Sequence, residues 1–387
     1  MAARLIPLNK QTIVITGASS GIGLATARAA AAAGARVVMG ARNGEALLQV
    51  EQELKGKGLE ALYVATDVTV PEEIERLART AVERFGAIDT WINDAGVGLF
   101  GTIEETDPDD ARRLFETNYW GVVEGCLAAI RYMKGRGGAI INVGSLASDV
   151  GMPMQSAYSA SKHAVKAFTD ALRAELAHQG EPISVTLIKP AVIATPMREH
   201  IRNYTGHEIR LAPPLYHPDE VAHAILHAAT HPVRSISVGS PTRLMGAVRG
   251  LAPWLYDRIA AGPLISGPLG KRADGTGPDN LDSPGEDGRL LDRRYGRLAR
   301  PSYSTRAALH PVVTGGMLVL GGLAVAAVVK RSRARRAARF GVAALGSELG
   351  RRALHRGARL AMRQAPKAKA LAKSAGRSVE EALHRLA

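Results

Sequence analysis

The chain has 387 residues, of which 4% are aromatic, and its formal net charge is +14 at pH 7. This length suits one large α/β domain with an appendage. The single cysteine, Cys126, excludes an intrachain disulfide and a cysteine-rich metal site, which fits a reducing compartment, and we expect no bound metal. Residues 1–10 contain no apolar run of signal-peptide length, so we expect no signal peptide there.

The basic residues are concentrated in the C-terminal third of the chain. Residues 1–262 carry 26 Lys and Arg against 27 Asp and Glu, whereas residues 263–387 carry 24 against 9. The chain therefore divides into a charge-balanced body and a basic appendage, and each part needs its own explanation.

The first strand, the turn after it and the next helix form a nucleotide-binding pattern. Residues 12–16 are a short β-branched run typical of a buried strand. A turn with Gly17, Gly21 and Gly23 follows, and an alanine-rich helix then runs to Ala33. Glycines let the backbone approach a pyrophosphate, and the helix N-terminus supplies unpaired N–H donors. The pattern predicts a dinucleotide site, with a glycine-rich turn that binds no ligand as the alternative.

The second strand, residues 35–40, leads to Ala41 and Arg42. An NAD site usually has an acidic residue at this point, about 20 residues beyond the glycines, that binds the ribose 2′-hydroxyl. Arg42 instead offers a planar cation that suits a 2′-phosphate, so the sequence favours NADP(H) over NAD(H). The alternative is an arginine that is only solvated at a strand end.

Strands and helices alternate along the rest of the body. Further strands are predicted at residues 59–65, 89–93, 139–143, 183–188 and 235–238, with helices at residues 44–57, 71–85, 107–133, 218–229 and 242–260. This alternation predicts an α/β fold with a doubly wound parallel sheet. Active groups then collect beyond the carboxyl ends of the strands, where Gly17, Asn93, Ser145 and Pro190 fall.

Tyr158 and Lys162 are four residues apart on a further predicted helix that runs to about residue 178, so both side chains lie on one face. A free tyrosine has a pKa of about 10, and a fixed cation beside it stabilises the phenolate. The pair can therefore act as a proton-transfer device. A Tyr-x-x-x-Lys pair also occurs on ordinary helix surfaces, and the rest of the chain decides between the two interpretations.

The order and spacing of these residues resemble the short-chain dehydrogenases/reductases over residues 10–262. The motifs that carry the resemblance are Thr16-Gly17-x-x-x-Gly21-x-Gly23, Asn93-x-Ala95-Gly96, Asn118, Ser145, Tyr158-x-x-x-Lys162 and Pro190-x-x-x-Thr195. The resemblance implies a Rossmann-type fold with about seven parallel strands. It also implies an oxidoreductase that transfers a hydride between a nicotinamide cofactor and a carbonyl or alcohol.

By this resemblance, four residues form the catalytic set. Tyr158 would be the general acid in carbonyl reduction and the base in alcohol oxidation, while Lys162 would lower its pKa and hold the nicotinamide ribose. Ser145 would donate a hydrogen bond to the substrate oxygen. Asn118 would hold a water that relays protons by way of Lys162.

The expected cofactor contacts come from the ends of several strands. They are Gly17, Ser19, Ser20, Gly21, Ile22, Gly23, Arg42, Asp67, Val68, Asn93, Ala95, Gly96, Tyr158, Lys162, Pro190, Val192 and Thr195. Asp67 and Val68 resemble the pair that contacts the adenine. The chain departs from the family pattern at Asp94, where a second asparagine is common, and at Ala191, where a glycine is common. Neither position supplies a catalytic group.

Three stretches of the body are expected to line a substrate pocket: residues 97–102, 146–155 and 192–216. Their apolar side chains favour an apolar carbonyl or alcohol. These are Val97, Leu99, Phe100, Val150, Met152, Met154, Val192, Ile193 and Met197. The alternative is that many of them only pack the loops. Arg198, Arg202 and Arg210 suit either an acidic group on the substrate or a solvated surface.

The appendage is predicted in three parts. Residues 263–310 are rich in Gly, Pro, Asp and Arg and predict a linker or loosely ordered arm. Residues 311–329 continue from Pro311 with 18 uncharged, mostly apolar residues, which is just enough to cross a bilayer core of about 30 Å. Residues 330–387 predict a basic amphipathic tail on an anionic membrane surface. The alternative for the apolar stretch is a helix buried in an oligomer.

The sequence therefore predicts an NADP(H)-dependent reductase or dehydrogenase on the cytoplasmic face of a membrane, single-pass or monotopic. A single span with its basic side inside would separate the body from cytoplasmic NADPH, so insertion without crossing stays open. Two rival hypotheses are a catalytically silent NADP(H)-binding membrane adaptor or sensor, and a soluble cytoplasmic enzyme that forms oligomers. A homodimer through the long helices is open in each case. Nucleic acid is not an expected partner, because the tail has few stacking aromatics.

Overall fold

The structure is a computed structural model that describes residues 3–273, 277–295 and 301–309, and these lie within one compact unit. Seven parallel strands form the central sheet in the spatial order β7-β6-β5-β4-β1-β2-β3. In chain order they are β1 (Thr12–Thr16), β2 (Arg36–Ala41), β3 (Ala61–Ala65), β4 (Thr90–Asn93), β5 (Gly138–Val143), β6 (Ile183–Pro190) and β7 (Ser235–Val238). The strand order reverses between β1 and β4, which is where sheets of this type bind ligands.

Helices cover both faces of the sheet. The longer ones are α1 (Gly21–Ala32), α2 (Gly44–Gly56), α3 (Pro71–Phe85), α4 (Pro108–Phe115), α5 (Gly121–Met133), α6 (Ser156–His178), α7 (Pro218–Thr230), α8 (Ser240–Leu251) and α9 (Pro253–Ala260). Helices α1, α2 and α7 share one core with the sheet, whereas α3, α5 and α6 share the other. The predicted doubly wound Rossmann-type sheet is confirmed.

Strand β1 shows why the predicted strands are apolar along their whole length. Ile13 and Ile15 belong to one core and Val14 to the other, because successive side chains of a strand point to opposite faces. All three are fully buried. A parallel sheet covered on both sides needs this continuous apolar run rather than an alternating one.

Two long predicted helices are interrupted in the structure. The helix expected over residues 107–133 contains a π-helical turn, Glu116–Trp120, between α4 and α5. The helix expected over residues 242–260 divides into α8 and α9, because Pro253 cannot continue the hydrogen-bonding of the preceding turn. The π turn has a consequence for the site, since it carries Asn118.

The segment predicted as a loosely ordered arm is packed against the body in its described part. Its strand Leu269–Arg272 pairs antiparallel with His207–Ile209, and Leu281 is only 5% exposed. A further short helix, Tyr303–Leu309, follows. For these described residues the expectation of a loosely ordered arm needs correcting, since buried apolar and ionic contacts outweigh the Gly- and Pro-rich composition.

The remaining predictions for the appendage cannot be compared with the fold. The predicted apolar stretch 311–329 and the basic tail 330–387 lie outside the described residues. Among the helices that the structure describes, none is both long and apolar enough to cross a membrane.

Candidate active site

A cavity of about 670 Å³ opens beyond the carboxyl ends of the strands. It brings together most of the predicted site residues, although they come from distant parts of the sequence. Those that line it are Gly17, Ser19, Ser20, Gly21, Ile22, Arg42, Asp67, Val68, Ala95, Gly96, Ser145, Tyr158, Lys162, Pro190, Val192 and Thr195. Gly23, Asn93 and Asn118 were also predicted, and they lie outside this lining.

The glycines of the turn allow the backbone to approach itself closely. Gly17 has a φ of 72°, and a Cβ there would lie 2.7 Å from the backbone nitrogen of Ala95. At Gly23 a Cβ would lie 2.2 Å from the carbonyl oxygen of Gly17. A side chain at Gly17 would push the turn away from the loop that follows β4, and a side chain at Gly23 would push the start of α1 away from the turn. That helix begins without a side-chain cap at Ser20, and the N–H of Gly21, its first residue, donates instead to the carbonyl oxygen of Arg289 at 2.9 Å.

The side chain of Lys162 is anchored to the central sheet. Its Nζ donates a hydrogen bond of 2.9 Å to the carbonyl oxygen of Val143, at the end of β5, and lies 5.8 Å from the centre of the Tyr158 ring. The side chains of Lys162 and Tyr158 therefore share one face of α6, as their spacing predicts. Burial lowers the pKa of Lys162 to about 8, while the charge of Asp94 acts in the opposite direction.

Tyr158 differs from what the resemblance implies in one respect. Burial raises the pKa of its phenol above the usual value, and the charge of Asp94 acts in the same direction. The hydrogen bond with Ser145 opposes both effects. The surroundings of Tyr158 therefore disfavour the phenolate, whereas the resemblance implies that the phenolate is stabilised.

Ser145 is oriented by a short turn at the end of β5. It is the N-cap of the 3₁₀ turn Leu146–Ser148, and its Oγ accepts a hydrogen bond of 3.1 Å from the N–H of Ala147. The Ser148 hydroxyl accepts one of 3.1 Å from the N–H of Ser145. Because the Ser145 oxygen accepts from the backbone, its own hydrogen stays available for Tyr158 or a substrate oxygen.

Asn118 is fully buried and fixes the loop at the floor of the site. Its Oδ1 accepts a hydrogen bond of 2.8 Å from the N–H of Val97, and its Nδ2 donates one of 3.0 Å to the carbonyl oxygen of Val97. A Cβ at Gly96 would lie 3.3 Å from Asn118 Oδ1 and 3.8 Å from Lys162 Nζ. Gly96 thus lets Asn118 and Lys162 approach the same point. The water relay stays a prediction.

Asn93 belongs to a polar network beneath the sheet edge. Its Nδ2 donates to Asn142 Oδ1 at 2.9 Å, and its Oδ1 accepts from Trp91 Nε1 at 2.7 Å. Asn142 in turn donates to Thr169 Oγ1. Through these bonds the Asn93 side chain links β4 to β5, and Asn142 links β5 to α6. The predicted contact of Asn93 with a cofactor stays a prediction.

Asp94, where the family commonly has asparagine, lines the cavity. Burial raises the pKa of its carboxyl to about 8, against the opposing effects of the Lys162 charge and a hydrogen bond from the N–H of Gly23. An aspartate in place of asparagine therefore adds a titratable group beside the predicted catalytic pair. The sequence alone did not show how this aspartate would affect the pair.

Several lining residues come from the segment that the sequence indicated as a linker. Asn280, Pro284, Gly285 and Asp287 border the cavity next to Arg42. No motif marks these residues, because their contacts are mainly through the backbone. Within the described part of the chain, no group of three His, Cys, Asp or Glu side chains is arranged to hold a metal ion.

Comparison with known proteins identifies the family. The short chain dehydrogenase family matches residues 11–205, which include the glycine turn, Ser145, Tyr158 and Lys162. The chain belongs to the short-chain dehydrogenase family. It is therefore an oxidoreductase of that family, and the resemblance drawn from its motifs is confirmed.

Relatives extend the similarity beyond the residues that the family matches. The chain is 41% identical over 342 residues to the uncharacterized oxidoreductase YxnA of Bacillus subtilis, covering 85% of this chain and 93% of that protein. It is 35% identical over 261 residues to dehydrogenase/reductase SDR family member 7B of Bos taurus, covering 64% and 80%. A match of 342 residues cannot be confined to residues 11–205, so this short-chain dehydrogenase shares more than its nucleotide-binding core with the bacterial relative.

Solved structures agree with the fold. A short chain dehydrogenase/reductase from Burkholderia phymatum in complex with NAD has a TM-score of 0.59 at 24% identity, covering 70% of this chain and 99% of that one. An alcohol dehydrogenase from Thermococcus sibiricus complexed with 5-hydroxy-NADP has a TM-score of 0.52 at 28% identity, covering 59% and 95%. Neighbours of this short-chain dehydrogenase thus carry one or the other nicotinamide cofactor.

Proposed function

We propose that the chain is an NADP(H)-dependent carbonyl reductase or alcohol dehydrogenase with an apolar substrate, in which Tyr158 is the general acid and base. The observation that carries the proposal is one shared cavity. It contains the glycine turn at the start of α1, the Ser145 and Tyr158 side chains, and Lys162 one helical turn beyond Tyr158.

The residues present suit a nicotinamide dinucleotide. The close approach at Gly17 and Gly23 leaves no room for side chains. A pyrophosphate at the start of α1 would compete with the carbonyl oxygen of Arg289 for the N–H of Gly21. Arg42 stands at the end of β2 and borders the same cavity. When bound, such a cofactor supplies or accepts the hydride at the carbonyl carbon.

The protein's own part is to hold the oxygen and move the proton. In reduction, the Ser145 hydroxyl donates a hydrogen bond to the substrate oxygen, and the Tyr158 phenol gives that oxygen its proton. Lys162, anchored on Val143, holds a positive charge near the phenolate that remains. In oxidation the phenolate takes the proton from the alcohol, so the same residues act in reverse.

The preference for NADP(H) rests on Arg42. A guanidinium forms paired, charge-assisted hydrogen bonds with a phosphate and has no such partner in a ribose hydroxyl. Replacement of Arg42 by alanine is expected to lower kcat/KM with NADPH by roughly 10- to 100-fold, since charged hydrogen bonds contribute about 1.5–3 kcal/mol. The value with NADH should change little. Equal losses with both cofactors would contradict the assignment.

The apolar lining supports an apolar substrate. Val97, Leu99, Phe100, Met152, Val192, Ile193 and Met197 border the cavity as predicted. Val150 is instead fully buried against Leu146 and Tyr256, and Met154 contacts Gly101 through its carbonyl oxygen. Arg198 and Arg202 form ion pairs with Asp292 and Asp279. Arg210 also borders the cavity and forms no ion pair with a carboxylate in the described part of the chain.

The proposal is tested by NADPH consumption with a panel of apolar aldehydes and ketones. Tyr158→Phe should bind NADPH normally and lose turnover, because the ring stays and only the hydroxyl group that transfers the proton is removed. Tyr303→Phe is the matched control, since Tyr303 is 79% exposed and does not line the cavity. Retained activity in Tyr158→Phe would refute the mechanism. NADPH binding without turnover on any substrate would favour the sensor hypothesis.

A membrane-bound location is a separate proposal that rests on the sequence alone. The 18 uncharged residues 312–329 and the basic residues after them support it. Carbonate washing of membranes from cells that express the full chain provides the test. A chain that stays in the pellet supports attachment, whereas release into the supernatant favours the soluble enzyme. A homodimer through the long helices likewise stays a proposal.

A further inference from the structure

Residues 279–292, named the strap below, cross the cofactor end of the cavity and bind Arg42. The Arg42 guanidinium donates hydrogen bonds to the carbonyl oxygens of Asn280, of Leu281 at 3.2 Å and of Ser283 at 3.4 Å. Three backbone oxygens therefore surround the group that is proposed to receive a 2′-phosphate. A phosphate and this arrangement of the strap cannot use the same N–H donors at once.

Arg42 holds its positive charge among neutral acceptors. No ion pair of Arg42 occurs within the described ranges, although the strap itself carries carboxylates close by. Asp279 and Asp282 are engaged by Arg202, at 3.0 Å and 2.6 Å, and Asp282 also by Arg113 at 2.9 Å. A phosphate dianion is a stronger acceptor for a guanidinium than neutral carbonyl oxygens are, so the charge of Arg42 favours an exchange of partners.

The strap also bonds to the glycine turn. The N–H of Gly21 donates to the carbonyl oxygen of Arg289 at 2.9 Å, and the N–H of Gly288 donates to that of Ser19 at 2.8 Å. Asn43, directly after Arg42, donates to the carbonyl oxygen of Gly285 at 3.4 Å. The strap thus follows the cofactor site from the end of β2 to the start of α1.

The far side of the strap is fastened to the loop that borders the substrate region. Asp292 accepts two hydrogen bonds from Arg198, at 2.7 Å and 3.0 Å, and its side chain has no exposed surface. Arg289 pairs with Glu199 at 2.8 Å. Leu281 packs in the same apolar cluster as Tyr158. Movement of the strap at Arg42 would therefore also move residues at the substrate end of the cavity.

We propose that the strap determines cofactor specificity by competing with the 2′-phosphate for Arg42. NADP(H) displaces the three carbonyl oxygens and loosens the strap between its fastened ends, whereas NAD(H) leaves them in place. The inference rests on the proposed use of NADP(H). Its consequence is that affinity for a 2′-phosphate is reduced by the fraction of molecules in which the strap is closed.

Two probes that differ only in the 2′-phosphate distinguish competition for Arg42 from binding that leaves the strap in place. These are adenosine 2′,5′-bisphosphate and adenosine 5′-monophosphate, each bound to the full chain. Hydrogen exchange should be faster over residues 280–286 with the bisphosphate than with the monophosphate. Exchange that is equal with the two probes, or slower with the bisphosphate, would overturn the competition even if the bisphosphate binds tightly through Arg42.

A variant that weakens the strap gives the second readout. Asp282 is half exposed and holds the strap through two arginines, so Asp282→Asn should loosen it without unfolding the domain. An exposed ion pair contributes up to about 1 kcal/mol, and we therefore expect the bisphosphate to bind up to about fivefold more tightly. The monophosphate should bind as before. Weaker bisphosphate binding would show that the strap supports the phosphate, which refutes the inference.

Matched controls distinguish a failure of the strap inference from a failure of the proposed NADP(H) preference. Asp170 also bridges two arginines, Arg173 and Arg234, but lies outside the cavity lining, so Asp170→Asn should change neither affinity. In Arg42→Ala the two probes should give the same exchange over the strap. A bisphosphate that binds no tighter than the monophosphate to the unaltered chain would refute both the NADP(H) preference and the inference. Tight, Arg42-dependent binding with an unchanged strap would refute the inference alone.

Discussion

The Asp94 carboxyl and the Lys162 ammonium line the same cavity and interact electrostatically, and burial shifts both toward their neutral forms. Burial raises the pKa of Asp94 to about 8 and lowers that of Lys162 to about 8, while each charge opposes the shift of the other. Asp94 also raises the pKa of Tyr158. One residue that departs from the family pattern therefore influences both members of the proton-transfer pair.

Replacement of Asp94 by asparagine should move the pH profile of alcohol oxidation to lower pH. Without the carboxylate, the pKa of Tyr158 falls, so the phenolate that accepts the proton forms at lower pH. The pKa of Lys162 falls as well, so its charge is lost at lower pH and the alkaline limb shifts in the same direction. The check is kcat/KM for oxidation measured across the pH range. An unchanged pH profile would mean that the charge of Asp94 does not affect the pKa values of Tyr158 and Lys162.

The same substitution should change how stability depends on pH. The carboxyl of Asp94 has a raised pKa in the folded chain, so its contribution to stability is full below the usual value of 3.8 and is lost as the pH rises through about 8. In this window the folded chain binds the proton and the unfolded chain does not. Asp94→Asn should therefore lose less stability than the unaltered chain between pH 4 and pH 8, as measured by urea unfolding. Parallel curves would contradict the assignment.

The proposed catalytic centre could be located from the sequence because its signals are local. Tyr158 and Lys162 are one helical turn apart, and the glycines stand directly between a strand and a helix. The raised pKa of Tyr158 could not be predicted, because it depends on burial by residues distant in the sequence. The strap was missed for a different reason: it contacts Arg42 through backbone carbonyl oxygens, which every residue type has. Its Gly and Pro content indicated a linker, although Leu281 and Asp292 are buried.

Gly17 should be far less tolerant of alanine than a glycine of the same backbone conformation elsewhere. Gly17 and Gly58 have φ values of 72° and 73°, but only Gly17 has atoms near its missing Cβ. Alanine at Gly58 pays the left-handed backbone cost of about 1–2 kcal/mol. At Gly17 the contact with Ala95 should add about 1–3 kcal/mol of overpacking and weaken cofactor binding. Urea unfolding and cofactor titration measure the two effects, and equal losses of stability in the two variants would refute the proposed clash.

Asp292 should be required for the stability of the whole domain, although it lies 30 residues beyond the predicted end of the body. Its carboxylate is fully buried against Arg198 and also accepts a hydrogen bond of 2.7 Å from the N–H of Arg294. Asp292→Ala leaves the Arg198 charge buried without this partner, and loss of one member of a buried pair costs about 3–5 kcal/mol. Asp257→Ala, at an exposed position on α9, should cost far less. The urea midpoints of the two variants give the comparison. If residues 263–310 were the loose arm that their composition suggests, the midpoints would coincide, because an arm outside the folded core contributes nothing to its unfolding.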